Sequence, residues 1–395
     1  MKDGLKDDIR SLKGEMISLR REFHMYPELS MQEIKTAEKI TSYLKNMGLE
    51  PKTGIAGTGI SAIIEGKKQG KTIMLRADMD ALPLHEKTNV DYASLNDGIM
   101  HACAHDGHMA ILLTVARILC NRRNEFSGAI KLVFQPGEEG LAGAFFMIHD
   151  GVLENPSVDA AIGLHLFTTI PIGLIGVREG SIMSSADFFS LTIKGKSGHG
   201  AYPESGIDAI LIAAQVINSL QSIVSREIPP QAPAVIHIGK IEGGTANNVI
   251  ADQVTLSGGV RTFDEKLRNH IQKRMDDIFK GIIHALRGDY TFNFTRGYPV
   301  LMNDPGMTRL VRSTAFTVVG EENVIEPQPM MGSEDMAFFL EKVPGCYFFV
   351  GAGNEQKKAN RPHHSELFNF DEDALPIGAE AMARAALAYL KRGSS

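Results

Sequence analysis

Between residues 187 and 295 the chain reads DFFSLTIKG (187–195), GIDAILIAAQVINSLQSIV (206–224), AVIHIGKIEGG (234–244), DQVTLSGGVRTF (252–263), DEKLRNHIQKRMDDIFKGIIHAL (264–286) and DYTFNFT (289–295). The first, third, fourth and last runs are rich in β-branched and aromatic side chains in near-alternation with polar ones, the pattern of strands with one buried face. The second and fifth repeat apolar residues every three or four positions, as amphipathic helices do. The order βαββαβ describes a complete two-layer α+β domain. Its flanks follow a different grammar, so the segment 186–296 reads as an insert that divides a larger α/β domain into 1–185 and 297–395.

In that larger domain, strands are expected at 60–65, 72–76, 129–134, 160–166 and 346–351, and helices at 34–47, 107–121, 142–150, 306–319 and 371–391. Alternation of this kind marks an open sheet with helices on its faces. At 395 residues the chain is too long for one ordinary core, while 43% hydrophobic and 22% charged residues suit a soluble globular protein. A net charge of −6 and a pI near 6.1 leave no electrostatic footprint for nucleic acid or an anionic membrane. The N-terminal MKDGLKDDIRSLKGEM lacks the apolar core of a secretory signal, and no uninterrupted apolar run of about eighteen residues follows. A cytoplasmic protein is therefore expected. Three cysteines, an odd number, do not make a disulfide framework; Cys120 and Cys346 read as small core residues.

Cys103 alone has histidine company. MHACAHDGH (100–108) packs one thiol and three imidazoles into nine positions, and the spacing of Cys103 and His105 suits half of a transition-metal site. The competing reading is a polar loop capping a helix that begins near Gly107, with Asp106 as the cap. Other chemistry lies in RADMDALP (76–83), QPGEEG (135–140), GLHLF (163–167) and RPHHSELF (361–368), three of which follow strands. In open α/β sheets functional groups gather beyond the carboxyl ends of strands, so these distant segments are expected to converge. The pocket would then hold one Zn-, Mn-, Co- or Ni-like ion, or a pair sharing ligands. Adjacent Glu138 and Glu139 permit one to bind metal while the other takes a proton from water; a charged helix N-terminus is the bland alternative.

These motifs, with SGHGAYP, GGTANNVIAD, RTFD and GSEDMAFFL, occur in an order and spacing that resembles the M20 metallopeptidase family. The likeness is to its amidohydrolase subgroup of N-acyl-amino-acid, hippurate and auxin-conjugate hydrolases, and it extends over nearly the whole chain. The resemblance implies a zinc-peptidase-like catalytic domain with a mixed sheet flanked by helices, carrying the insert as a lid and dimerisation domain. It implies Cys103, His105, Glu139, His165 and His364 as metal ligands, Glu138 as general base on metal-bound water, and Asp80 as the carboxylate orienting a ligand. In the insert it implies His199 on the scissile carbonyl and Asn247 and Arg261 as polar contacts to substrate. Ala104 and Gly137 depart from the subgroup, which usually has glycine and alanine there; Ala104 disfavours a positive φ.

The implied reaction is hydrolysis of an N-acetyl or aromatic N-acyl amino acid to a carboxylate and a free amino acid. One or two divalent ions (Zn, Mn, Co or Ni) serve it, in a homodimer or higher oligomer assembled through the insert. A dipeptidase or aminopeptidase of the same clan is the first alternative, although such relatives more often present an aspartate where Cys103 and His105 stand. A non-catalytic metal- or ligand-binding homologue is the second. His101 and His108 are placed beside the centre or in helix packing, His363 as a neighbour rather than a ligand, and His24 as a structural residue.

Overall fold

The computed structural model describes residues 4–392. By internal contacts the chain divides into two units. The first takes the described residues up to Gly180, then Met302–Gln328 and those from Asp335 onward; the second is Ser181–Leu301 with Pro329–Glu334.

The first unit is built on an eight-stranded mixed sheet: β1 (Lys52–Ile55), β2 (Gly59–Glu65), β3 (Thr72–Asp78), β4 (Ala129–Gln135), β5 (Ala160–Pro171), β6 (Ile175–Gly176), β7 (Val324–Ile325) and β8 (Gly345–Gly353). Their order across the sheet is β1-β2-β4-β3-β5-β8-β6-β7. The central strands β4, β3, β5 and β8 run parallel, and β2 joins β4 antiparallel. Every residue of β3 is buried, as expected for a strand with helices on both faces. Helices Lys13–Met25, His105–Asn121, Pro305–Val319 and Ala374–Arg392 close one continuous apolar core with the sheet. Because β3, β4 and β5 are parallel, the turns after β3 and β4 leave the same edge, which is why RADMDALP and QPGEEG meet.

The second unit has the βαββαβ order. Its antiparallel sheet runs Ala234–Gly243, Gln253–Thr262, Ala186–Lys194, Asp289–Tyr298, with helices Ala209–Ser222 and Glu265–Ala285 packed against it. Asp208 and Asp264 cap these helices by accepting hydrogen bonds from Ile210 and Leu267 amides. The unit is wider than 186–296 and gains 329–334 for a hydrogen-bonding reason: the Ser184 amide donates to the Met330 and Gly332 carbonyls at 3.0 and 2.9 Å. The stretch Ala209–Glu227 is long and apolar enough to span a membrane by composition, yet Ile212, Ala213, Val216, Leu220 and Ile223 are buried in this unit's core.

Candidate metal centre

The first-unit residues that the motifs single out converge. Helix His105–Asn121 begins two residues earlier than the sequence pattern suggests, and its cap is Ala104, left-handed at φ +67°. Asp106 therefore lies inside the helix. Its carboxylate turns back to helix Lys13–Met25, accepting from Arg20 Nε at 2.8 Å and His24 Nδ1 at 2.7 Å. Gly107 is needed for space, since a Cβ there would sit 2.7 Å from Leu166 and Phe370. After β4, Gly137 at φ +62° opens a tight turn in which Glu139 and Gly140 are non-helical, so Glu138 and Glu139 stand on a bend and not on a regular helix N-terminus.

Three overlapping groups bring ligand atoms within 4.8 Å of one another: Cys103 with Glu139 and His364, His105 with Glu138 and Glu139, and Cys103 with His165 and His363. All five expected ligands and Glu138 thus share one cluster, and Cys103 belongs to two of the groups. Cys103 Sγ is 3.5 Å from His165 Nε2, and His364 Nε2 is 3.2 Å from Glu139 Oε1. His165 Nδ1 donates to the Leu166 carbonyl at 2.9 Å, which leaves its Nε2 as a lone pair facing the thiol. His105 Nδ1 donates to the Asp80 carbonyl at 2.9 Å and lies 3.2 Å from the Asp80 carboxylate, while its buried Nε2 has no hydrogen-bond partner.

The electrostatics of this cluster fit a cation. Burial, then the charges of Glu139, Glu138 and Asp78, push the Cys103 thiol well above its usual range. Burial works against a charged His105, but Asp78 and Asp80 raise it to about 10. Burial, helped by neighbouring His108 and His363, holds His165 well below its usual range. A thiol crowded by carboxylates ionises readily only with a positive charge among them, and a mixed S, N and O donor set is one that divalent transition ions accept.

Among the supporting residues, His24, His101 and His108 were named from the sequence, whereas Arg76, Asp78 and Asp335 were not singled out. Arg76, fully buried, donates to Gln135 at 2.7 Å, Asp78 at 2.7 Å and Asp335 at 2.9 Å, joining three motifs. Asp78 accepts from His108 Nδ1 at 2.7 Å, and His108 Nε2 accepts from the Leu166 amide at 3.0 Å, next to His165. The only available signal was an arginine inside an otherwise apolar strand. His24 donates to Asp106 at 2.7 Å and Glu86 at 3.2 Å, and His101 is buried with both ring nitrogens unpaired.

His199, Asn247 and Arg261 lie in the second unit. His199 sits on a short strand, Gly198–His199, paired with Val249–Ile250, so the exposed turn bearing Asn247 is nearby. The Ala201 amide donates to His199 Nδ1 at 3.0 Å, placing the ring proton on Nε2. Arg261 Nη1 donates to the Met331 carbonyl at 3.1 Å, and among the described residues no carboxylate is within ion-pair reach. Asp264 is occupied in capping its helix.

Known proteins resemble this chain along its length. The family described as peptidase family M20/M25/M40 matches residues 74–388. An N-acetyl-L-cysteine deacetylase of Bacillus subtilis is 40% identical over 93% of this chain and 86% of its own. Thermostable carboxypeptidase 1 of Saccharolobus solfataricus is 39% identical over 98% of both chains. The crystal structure of the Bacillus subtilis protein YXEP, titled a dinuclear metal-binding peptidase of the M20 family, superposes with a TM-score of 0.84 at 34% identity, covering 97% of this chain and 99% of that one.

Proposed function

The chain belongs to peptidase family M20/M25/M40, and from that premise we propose that it is a metal-dependent amidohydrolase cleaving N-acyl amino acids to a carboxylate and a free amino acid. The observation that carries this reading is the cluster of Cys103, His105, Glu139, His165 and His364 around Glu138. A deacetylase of N-acetylcysteine and a carboxypeptidase among the relatives agree on one chemical point. Both names describe an amide whose nitrogen belongs to an amino acid with a free α-carboxylate. An aminopeptidase or dipeptidase would need a site for a free substrate amine, with or without one for the carboxylate.

Cys103, His105, Glu139, His165 and His364 would hold one or two divalent ions of the Zn, Mn, Co or Ni type. When bound, such ions supply Lewis acidity toward water and the scissile carbonyl. Glu138 takes the proton of the attacking water and later delivers it to the leaving amine. Asp80 holds His105 by its Nδ1 side and so keeps Nε2 turned to the centre. His199 presents an Nε2–H suited to donate to the carbonyl oxygen as negative charge grows there. Arg261, half-buried and without an acidic partner among the described residues, is suited to a substrate carboxylate, and Asn247 to its polar edge.

Self-association through the second unit is supported by the exposed apolar side chains of Ile210, Leu211, Val235, Ile241 and Val249. Free Cys103, Cys120 and Cys346 support a reducing, cytoplasmic setting. The test is a substrate panel of N-acetyl and N-benzoyl amino acids, their neutral amides, C-terminally free peptides and dipeptides. Cleavage of the acyl amino acids with rejection of the neutral amides is expected. Preference for substrates with a free amine would overturn the proposal.

A further inference from the structure

His363 is the one histidine of the cluster with no role in the reading above, and its surroundings are those of a ligand. The residue is half-buried, yet both ring nitrogens are out of reach of solvent and neither has a hydrogen-bond partner. A buried imidazole otherwise finds an acceptor for its N–H and a donor for its lone pair. The ring is held in place by aromatic contacts, with centroids 5.0 Å from His165, 5.0 Å from Phe167 and 4.8 Å from Phe368. One of its nitrogens lies within 4.8 Å of both the Cys103 and the His165 ligand atoms. The Cys103 Sγ to His165 Nε2 separation of 3.5 Å is itself close to the edge of a tetrahedron around a zinc-sized ion with bonds of about 2.0–2.3 Å.

We propose that His363 is a sixth protein ligand of the centre, completing with Cys103 and His165 a two-nitrogen, one-sulfur metal position, while Cys103 is shared with a second position at Glu139 and His364. This rests on the metal-dependent reading and adds to it an asymmetry between the two positions. The first is all nitrogen and sulfur and favours Zn, Co or Ni over Mn; the second carries a carboxylate and is harder. His364, next in sequence and left-handed at φ +63°, falls instead in the group with Cys103 and Glu139. Two neighbouring histidines thus serve two positions.

The test is titration of chelator-treated protein with Co²⁺, followed by visible and near-ultraviolet absorption and by equilibrium dialysis. Wild type is expected to take two equivalents with a thiolate-to-cobalt charge-transfer band. His363→Leu, which keeps an apolar ring pocket filled, is expected to lose one equivalent or bind it at least about tenfold more weakly, with a changed band. Should His363→Leu unfold, as judged by circular dichroism, His363→Asn is used in its place, with the same loss expected. A variant that is folded and takes both equivalents with wild-type affinity and spectrum reduces His363 to a packing residue and overturns the inference. Wild-type protein that binds no Co²⁺ would instead overturn the metal-dependent function itself, so the two failures are distinguishable.

Discussion

The amide of Glu139 donates to Asp80 Oδ2 at 2.9 Å, so the turn after β4 is hung on the turn after β3. The same oxygen accepts from Ser30 Oγ at 2.6 Å, and the other carboxylate oxygen faces His105 Nδ1 at 3.2 Å. One residue therefore sets the positions of two expected ligands, Glu139 through its carboxylate and His105 through its backbone carbonyl with the carboxylate close by. An amide in its place can keep only one side of this arrangement, because its NH₂ cannot accept. Asp80→Asn is expected to lower metal affinity or kcat by about 10–100-fold. Metal dialysis and steady-state kinetics that both match wild type would show that Asp80 orients nothing.

Glu138, buried on the bend that Gly137 opens, is expected to move protons and not to be required for holding metal. Glu138→Gln should keep its metal content and lose at least about two orders of magnitude in kcat. If metal is lost along with activity, the two glutamates have exchanged roles.

Arg20 and Asp106 form a wholly buried ion pair at 2.8 Å that fastens helix Lys13–Met25 to helix His105–Asn121. Burial alone would raise the Asp106 carboxyl, but Arg20 and His24 outweigh it and hold it far below the usual carboxylate range. A depressed carboxylate stabilises the fold above its unfolded pKa near 3.9, and that contribution fades as pH falls through the folded value. His24, raised by Asp106 and Glu86 against burial and Arg20, adds stability present below about 6.5 and lost as pH rises through its folded pKa. Arg20→Leu strands a buried charge and should cost about 3–5 kcal/mol. Thermal melts across pH should show a shallower acid limb in Asp106→Asn; an unchanged limb would mean that acid unfolding is governed elsewhere.

Much of the architecture was legible because it depends on local pattern: the inserted βαββαβ unit, the central strands of the large sheet and their helices all follow apolar periodicity. Helices Leu5–Ser11 and Lys13–Met25 escaped because charges crowd them, and one of those charges, Arg20, is buried against a residue 86 positions away. Pairings across such distances leave no periodic trace. The same limit hid the pairing of Arg76 with Asp335. The candidate site residues could be named because their types and order resemble those of a known family. The tautomers of His165 and His199 are set by backbone contacts that only the folded chain makes.

Ala104 offers a check on loop strain. The expected reluctance of alanine to take positive φ does not prevent it: Ala104 sits at φ +67° between Cys103 and His105. That conformation costs a non-glycine residue about 1–2 kcal/mol, and glycine would relieve it while losing about 0.5–1 kcal/mol to extra freedom in the unfolded chain. Ala104→Gly is thus expected to be neutral or to raise stability by up to about 1 kcal/mol, with metal affinity unchanged. A destabilised variant in a denaturant titration would show that the Ala104 methyl, fully buried, packs for more than the strain it bears.

Cys103 gives the prediction with the widest reach. Bound to a metal, a thiolate is deprotonated and committed, so it should resist alkylation. Stripping the metal would ordinarily expose a reactive thiol, but here burial and the charges of Glu139, Glu138 and Asp78 push it well up and keep it protonated. Chelation alone should therefore release little reactivity at neutral pH, and alkylation of the apo protein should accelerate only as pH rises well past the ordinary thiol range near 8.5. Glu139→Gln removes the largest of those charges and should bring the onset to lower pH. The measurement is iodoacetamide labelling of Cys103 by mass spectrometry across pH, with and without metal, using Cys120 as an internal comparison. Fast labelling of apo Cys103 at pH 7 would show that the carboxylates do not crowd the thiol, and equal labelling with and without metal at the alkaline pH where the apo thiol reacts would remove Cys103 from the centre.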